Sequence, residues 1–154
     1  MTTLVTRARL LSTVLRTGDA RRIARLVGRL EPRDIAAVLP ALDHLDLRRM
    51  AAALCDADRI DDTIDALDAE SLARLALAAC PEDLTRLLVA LASAEKTVRA
   101  SVLMALPRNA RALALEGLDK DTQRELLAVL PRRARPKTRD DGLVAALRLR
   151  RLFA

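Results

Sequence analysis

Apolar residues recur along this chain at intervals of three and four, the period of an α-helix that presents one face to a core. Ile35, Val38, Leu39 and Leu42 form one such run, and Leu47, Met50, Ala51 and Leu54 form the next. Leu72, Leu75, Ala76 and Ala79 repeat the spacing, as do Leu84, Leu87, Leu88 and Leu91, and then Leu126, Leu127 and Leu130. No segment alternates with period two for long enough to make a strand. The pattern predicts an all-α fold.

The runs are organised as repeats. Residues 31–55, 56–80, 81–106 and 107–130 align as four blocks with a period of roughly 25 residues. Each is expected to hold one short helix, a turn near its middle and a second short helix. Pro32, Pro81 and Pro107 open three blocks, where the missing N–H of proline is harmless in a first helical turn. Asp46, Asp68, Ser93 and Asp119 fall at the mid-block turns and are expected to cap the helix that follows. Asp56 or Asp58 takes the opening role in the second block, which lacks a proline. Helices of about ten residues are marginal alone. They are expected to stack sideways in sequence order, as a solenoid of helical-hairpin repeats in which no unit buries its apolar face by itself.

Upstream, residues 2–16 and 19–30 read as two more helices, with Gly18 as a C-terminal cap and Asp19 as an N-cap. Downstream, residues 130–142 break the pattern with two prolines and five basic residues, and read as a linker or mobile arm. A last helix is expected over about 141–153, carrying Leu143, Val144, Leu147, Leu149, Leu152 and Phe153. The chain thus divides into a helical-repeat domain, 1–130, and a basic arm with a C-terminal helix, 131–154.

Composition agrees with helices: the 154 residues include four Gly, one Phe and no Trp or Tyr. Cys55 and Cys80 each sit in an Ala-rich apolar run and read as small buried hydrophobes, which suits a reducing, cytoplasmic compartment. The N-terminal stretch has arginines inside its apolar residues and does not resemble a signal peptide. No apolar run approaches the roughly 20 residues of a membrane span, so no transmembrane segment is expected.

Charge is uneven. Residues 1–30 carry seven arginines against one acid, residues 31–130 carry 12 basic against 18 acidic residues, and residues 131–154 carry eight basic against two acidic. An acidic centre lies between two basic ends, which attract it, another copy, or another partner.

Leu30-Glu31-Pro32-Arg33-Asp34-Ile35-Ala36, followed by Val38-Leu39, resembles the opening signature of the cytosolic N-terminal domain of MgtE-type magnesium transporters. Pro81-Glu82-Asp83-Leu84, before Arg86-Leu87-Leu88, resembles a later repeat of that domain. The likeness covers roughly residues 20–130, and Glu31 stands where the family has histidine. The middle domain of the flagellar switch protein FliG is a more distant match. The resemblance implies a right-handed superhelix of short helices. In the transporters the domain shares magnesium ions with a following pair of CBS domains. Asp34 and Asp83 match motif positions and are expected to cap helices rather than bind metal.

Two clusters are candidate sites. Asp58, Asp61, Asp62 and Asp65 are spaced to share one helical face, where crowded carboxylates repel unless a cation or an arginine neutralises them. They are candidate ligands for weakly bound Mg2+, or a solvated face braced by Arg21, Arg22 or Arg25. Arg132, Arg133, Arg135, Lys137 and Arg139, with the N-terminal Arg21, Arg22 and Arg25, are candidates for binding phosphate or an acidic partner. Nucleic acid, an anionic membrane surface and an acidic protein surface all fit such a patch.

Catalysis finds little material. His44 is the only histidine and lies at a mid-block turn, so paired-histidine acid–base chemistry and His-rich metal sets are ruled out. No nucleophile elbow, phosphate-cradling loop or dinucleotide fingerprint occurs. The leading expectation is a non-enzymatic, cytosolic interaction or regulatory module that docks its helical stack on a partner protein or on itself, with no firm cofactor. A nucleic-acid-associated protein that grips phosphates with its Arg-rich ends is the second reading, and a weak divalent-cation sensor the third.

Overall fold

The structure, a computed structural model, describes residues 2–135. Lys137, Arg139 and the helix expected over 141–153 lie outside the described residues. Ten α-helices follow one another among the described residues: α1 Thr2–Thr17, α2 Ala20–Val27, α3 Pro32–Val38, α4 His44–Asp56, α5 Ile60–Ile64, α6 Ala69–Ala78, α7 Pro81–Leu91, α8 Lys96–Ala105, α9 Arg108–Glu116 and α10 Lys120–Ala128. Single 3-10 turns extend α3 over Leu39–Ala41 and close the described chain at Arg132–Ala134. No strand occurs among these residues, and none of the helices is long and apolar enough to cross a membrane. Two α-helices fall in each of the four blocks.

The main contacts join helices two apart along the chain. α2 packs on α4, α4 on α6 and α6 on α8, while α1 packs on α3, α3 on α5, α5 on α7 and α7 on α9. α4 also meets α1 and α7, which ties the two series together. The contacts run between blocks more than within them.

The apolar runs supply the core. Ile35, Leu39, Met50, Leu54, Leu72, Leu75, Leu87, Leu88 and Leu91 are fully enclosed, and only Ala79 and Leu127 of the periodic positions are partly buried. The upstream pair joins the same core through Leu11, Leu15, Ile23 and Val27. Short helices are thus held by neighbours that remove their apolar stripes from water.

The helix starts follow the acid and proline punctuation in part. Asp19, Asp68 and Asp119 are N-caps that accept backbone N–H bonds from Arg22, from Ser71, and from Asp121 and Thr122. Pro32 and Pro81 begin their helices, whereas Pro107 occupies the N-cap position of α9. Two expected caps are corrected. The cap of α4 is Asp43, which accepts from the Asp46 N–H; Asp46 lies inside the helix. Ser93 gives its hydroxyl back to the Ala90 carbonyl, and α8 starts three residues later, after Glu95, without a side-chain cap.

The second block does not open on Asp56 or Asp58. Asp56 is the last residue of α4, and Arg59 precedes α5 without a capping bond. Asp58 has φ 54°, in the left-handed region, where Asp is better tolerated than most residues. The Asp58 N–H bonds to the Cys55 carbonyl at 3.1 Å and the Arg59 N–H to that of Leu54 at 2.9 Å, the paired bonds that close a helix through a left-handed residue. Gly18 follows α1 and donates its N–H to the Val14 carbonyl at 2.8 Å; a Cβ there would stand 2.7 Å from that oxygen, so the close approach favours glycine.

Candidate functional site

The four candidate metal ligands are exposed and are not gathered on one helical face. Asp58 precedes the five-residue α5 in its left-handed turn, Asp61 and Asp62 occupy the first turn, and Asp65 follows the last. A helix this short cannot carry all four. Asp62 pairs with Arg59 Nε at 3.3 Å, and Arg21, Arg22 and Arg25 make no ion pair with the stretch. Among the described residues no three His, Cys, Asp or Glu side chains converge as a metal set. Asp34 and Asp83 sit in the first turns of α3 and α7, where their charge favours the helix start, but neither is the N-cap. Asp34 lies 3.6 Å from Arg7, and Asp83 accepts the Cys80 thiol at 2.9 Å.

The cationic candidates fall into two separate groups. Arg21, Arg22 and Arg25 are exposed on α2, which packs on α4. Arg132, Arg133 and Arg135 are exposed beyond α10. Their segment is no free arm over 131–135. The buried Arg111 of α9 donates to the Ala134 carbonyl at 3.0 Å and to that of Leu106 at 3.4 Å, and Arg108 donates to that of Arg133 at 2.8 Å. Arg135 itself donates to the Leu130 carbonyl at 3.2 Å. Guanidinium groups from α9 therefore pin the peptide that was expected to hang loose.

This use of arginine recurs, and the apolar pattern gives no sign of it. Arg49 donates to the Leu15 carbonyl at the end of α1. Arg59 reaches the carbonyls of Gly28 at 2.7 Å and Leu30 at 3.2 Å after α2. Arg74 holds those of Pro40 at 3.1 Å and Leu42 at 2.8 Å after α3. Each takes carbonyls at a helix end that lies 29–34 residues back in sequence. The signal available in the sequence is an arginine set about 30 residues beyond a helix terminus, more than one 25-residue repeat.

A polar cluster joins α1 to α4. Asp46, 2 % exposed, accepts Arg16 Nε at 3.0 Å and the Ser12 hydroxyl at 2.6 Å. Arg16 also donates to Asp43. The bond to Asp46 and the charge of Asp43 raise the Arg16 pKa, while the Asp46 N–H holds the Asp43 carboxyl below its usual range. His44 is the exposed first residue of α4. Cys55 is buried as expected, and burial pushes its thiol up to about 12. Cys80 is half-buried at the start of α7, and its bond to Asp83 raises its pKa.

An apolar concavity at the upstream helices was not anticipated. A groove of about 450 Å³ runs between α1, α2 and α3, lined by Leu4, Leu10, Leu11, Val14, Leu26 and Val38, with Arg7 and Asp34 as its charged residues. Leu10 is 63 % exposed. A smaller groove between α6, α7 and α9 carries the exposed Leu77 and Leu113. Comparison with protein-family models, with curated proteins and with solved structures gave no match.

Proposed function

We propose that this chain is a non-enzymatic docking module, a right-handed superhelix of helical-hairpin repeats resembling the N-terminal domain of MgtE-type transporters, which binds a partner protein on its helical surface. The observation that carries the reading is the apolar groove between α1, α2 and α3, with Leu4 and Leu10 left largely exposed beside it. Water-facing apolar surface gathered into a concavity is what a protein interface covers. The succession of contacts between helices two apart supports the superhelical part, since each added pair extends a surface without closing a core.

A photo-crosslinking residue placed at Leu10, Leu77 or Leu113 in the native host tests the reading. Discrete protein adducts, absent when it replaces an exposed residue away from the grooves such as Arg124, are expected. Failure to form them at all three positions contradicts it.

A second reading, phosphate binding to nucleic acid, is favoured by one observation: Arg21, Arg22 and Arg25 are exposed with no acceptor for their side chains among the described residues. Retention on duplex DNA that falls steeply with salt and disappears in Arg21→Ala/Arg22→Ala/Arg25→Ala supports it; passage through the column at low salt sinks it.

A further inference from the structure

We infer that the groove between α1, α2 and α3 receives an amphipathic helix of another protein whose polar flanks carry carboxylates. The inference rests on the docking reading above and gives it a site and a partner chemistry.

The shape selects a helix. Val14, Leu26 and Leu30 are half-buried and recessed between the three helices, within a groove of about 450 Å³. A flat bilayer surface reaches Leu4 and Leu10 but not the recessed residues. Apolar side chains at helical spacing on one partner helix reach both.

The charge selects the partner's flanks. Arg22 of α2 lies four residues before the groove-lining Leu26, on the same helical face, and Arg29, just beyond the end of α2, is the chain neighbour of the groove-lining Leu30. Neither side chain has an acceptor among the described residues. Arg7 leaves 67 % of its side chain exposed although Asp34 is 3.6 Å away. Asp34 is the one carboxylate in the groove lining. Carboxylates along a docked helix would meet Arg7, Arg22 and Arg29.

Two stretches of the chain itself fit the groove poorly. Its acidic stretch, 56–68, keeps Ile64 and Leu67 buried in the core. Its C-terminal residues are apolar but carry Arg148, Arg150 and Arg151, which would set cation against cation. Neither stretch, in this chain or in a second copy, supplies an acidic apolar helix, and the occupant inferred is a different protein.

The test is fluorescence anisotropy of labelled helical peptides with the full chain at low and moderate salt. One peptide has Leu at i, i+3, i+4 and i+7 with Glu elsewhere, the second has Lys for Glu, and the third has Ser for Leu. The Glu/Leu peptide is expected to bind at least about tenfold tighter than either other peptide. Leu10→Glu, and separately Arg22→Glu/Arg29→Glu, are expected to weaken it about tenfold or more, with an unchanged melting temperature. Equal binding of the Glu and Lys peptides, or no binding, overturns the inference. So does binding to phosphatidylserine vesicles that is lost in Arg22→Glu/Arg29→Glu while peptide binding is not. If the peptides fail but adducts at Leu10 persist, the acidic-helix inference falls and the docking reading stands.

Discussion

Arg16, at the end of α1, bonds through Nε at 3.0 Å to Asp46, which is buried in the first turn of α4. The pair fastens α1 to α4, and Ser12 adds a further bond to the carboxylate. Removing Asp46 leaves Arg16 able to turn to water, because half of its side chain is exposed. Asp46→Ala is expected to cost about 1–3 kcal/mol, less than loss of a partner from a fully buried pair. Urea denaturation of Asp46→Ala, Arg16→Ala and the double variant checks this; the double variant should lose less than the sum of the singles. Strict additivity would show that the two side chains are not coupled.

Arg74 is expected to matter to stability more than its surface position suggests. It holds three carbonyls after α3, those of Leu39, Pro40 and Leu42, from one planar group. Arg74→Ala should lower stability by about 1–3 kcal/mol, and Arg74→Lys should recover little of it, because an ammonium lacks the fork. Arg25→Ala, which removes no such bond, should stay within about 0.5 kcal/mol. Equal denaturation midpoints for Arg74→Ala and Arg25→Ala would contradict the stapling role.

Much of this architecture was legible in the sequence, and the reason is physical. Burial follows apolar spacing, so runs such as Leu84, Leu87, Leu88 and Leu91 identify their own core face. Short polar caps were partly legible: Asp19, Asp68 and Asp119 were identified correctly, while Asp43 and Asp46 were confused because either acid suits a helix start. The Asp58–Asp65 face was misread because spacing alone does not reveal that Asp58 turns left-handed and that α5 is five residues long. The arginine staples and the groove depend on which helix ends come together in space, which local periodicity does not encode.

The capping aspartates give the stability a defined response to acid. Backbone and side-chain bonds hold Asp68 and Asp119 below the ordinary value of 3.8. Such groups stabilise the fold fully above the unfolded value, and the contribution disappears as pH falls through the lowered folded one. The melting temperature should therefore drop as pH is taken below about 3.8. Asp68→Asn/Asp119→Asn should flatten that drop, since asparagine caps at every pH. Identical acid profiles for the two proteins would contradict the assignment.

The thiols should be inert in the folded chain. Burial and Asp83 raise Cys55 to about 12, and the bond to Asp83 together with partial burial raises Cys80. At pH 8 an aromatic disulfide reagent should label neither promptly, Cys80 faster than Cys55, and both at once in denaturant. Prompt native labelling of Cys55 would place it outside the core.

Docking in the groove requires that α1 and α9 lie far apart along a row of side-by-side helices. In a background of Cys55→Ala/Cys80→Ala, spin labels at the exposed Arg9 of α1 and the exposed Asn109 of α9 read that directly. Four successive spacings from α1 through α3, α5 and α7 to α9, at about 8–10 Å each, predict a separation on the order of 30–40 Å by pulsed electron resonance. A distribution centred near 10–20 Å, the span of adjacent helices in one bundle, would contradict the stack and remove the open groove on which the account rests.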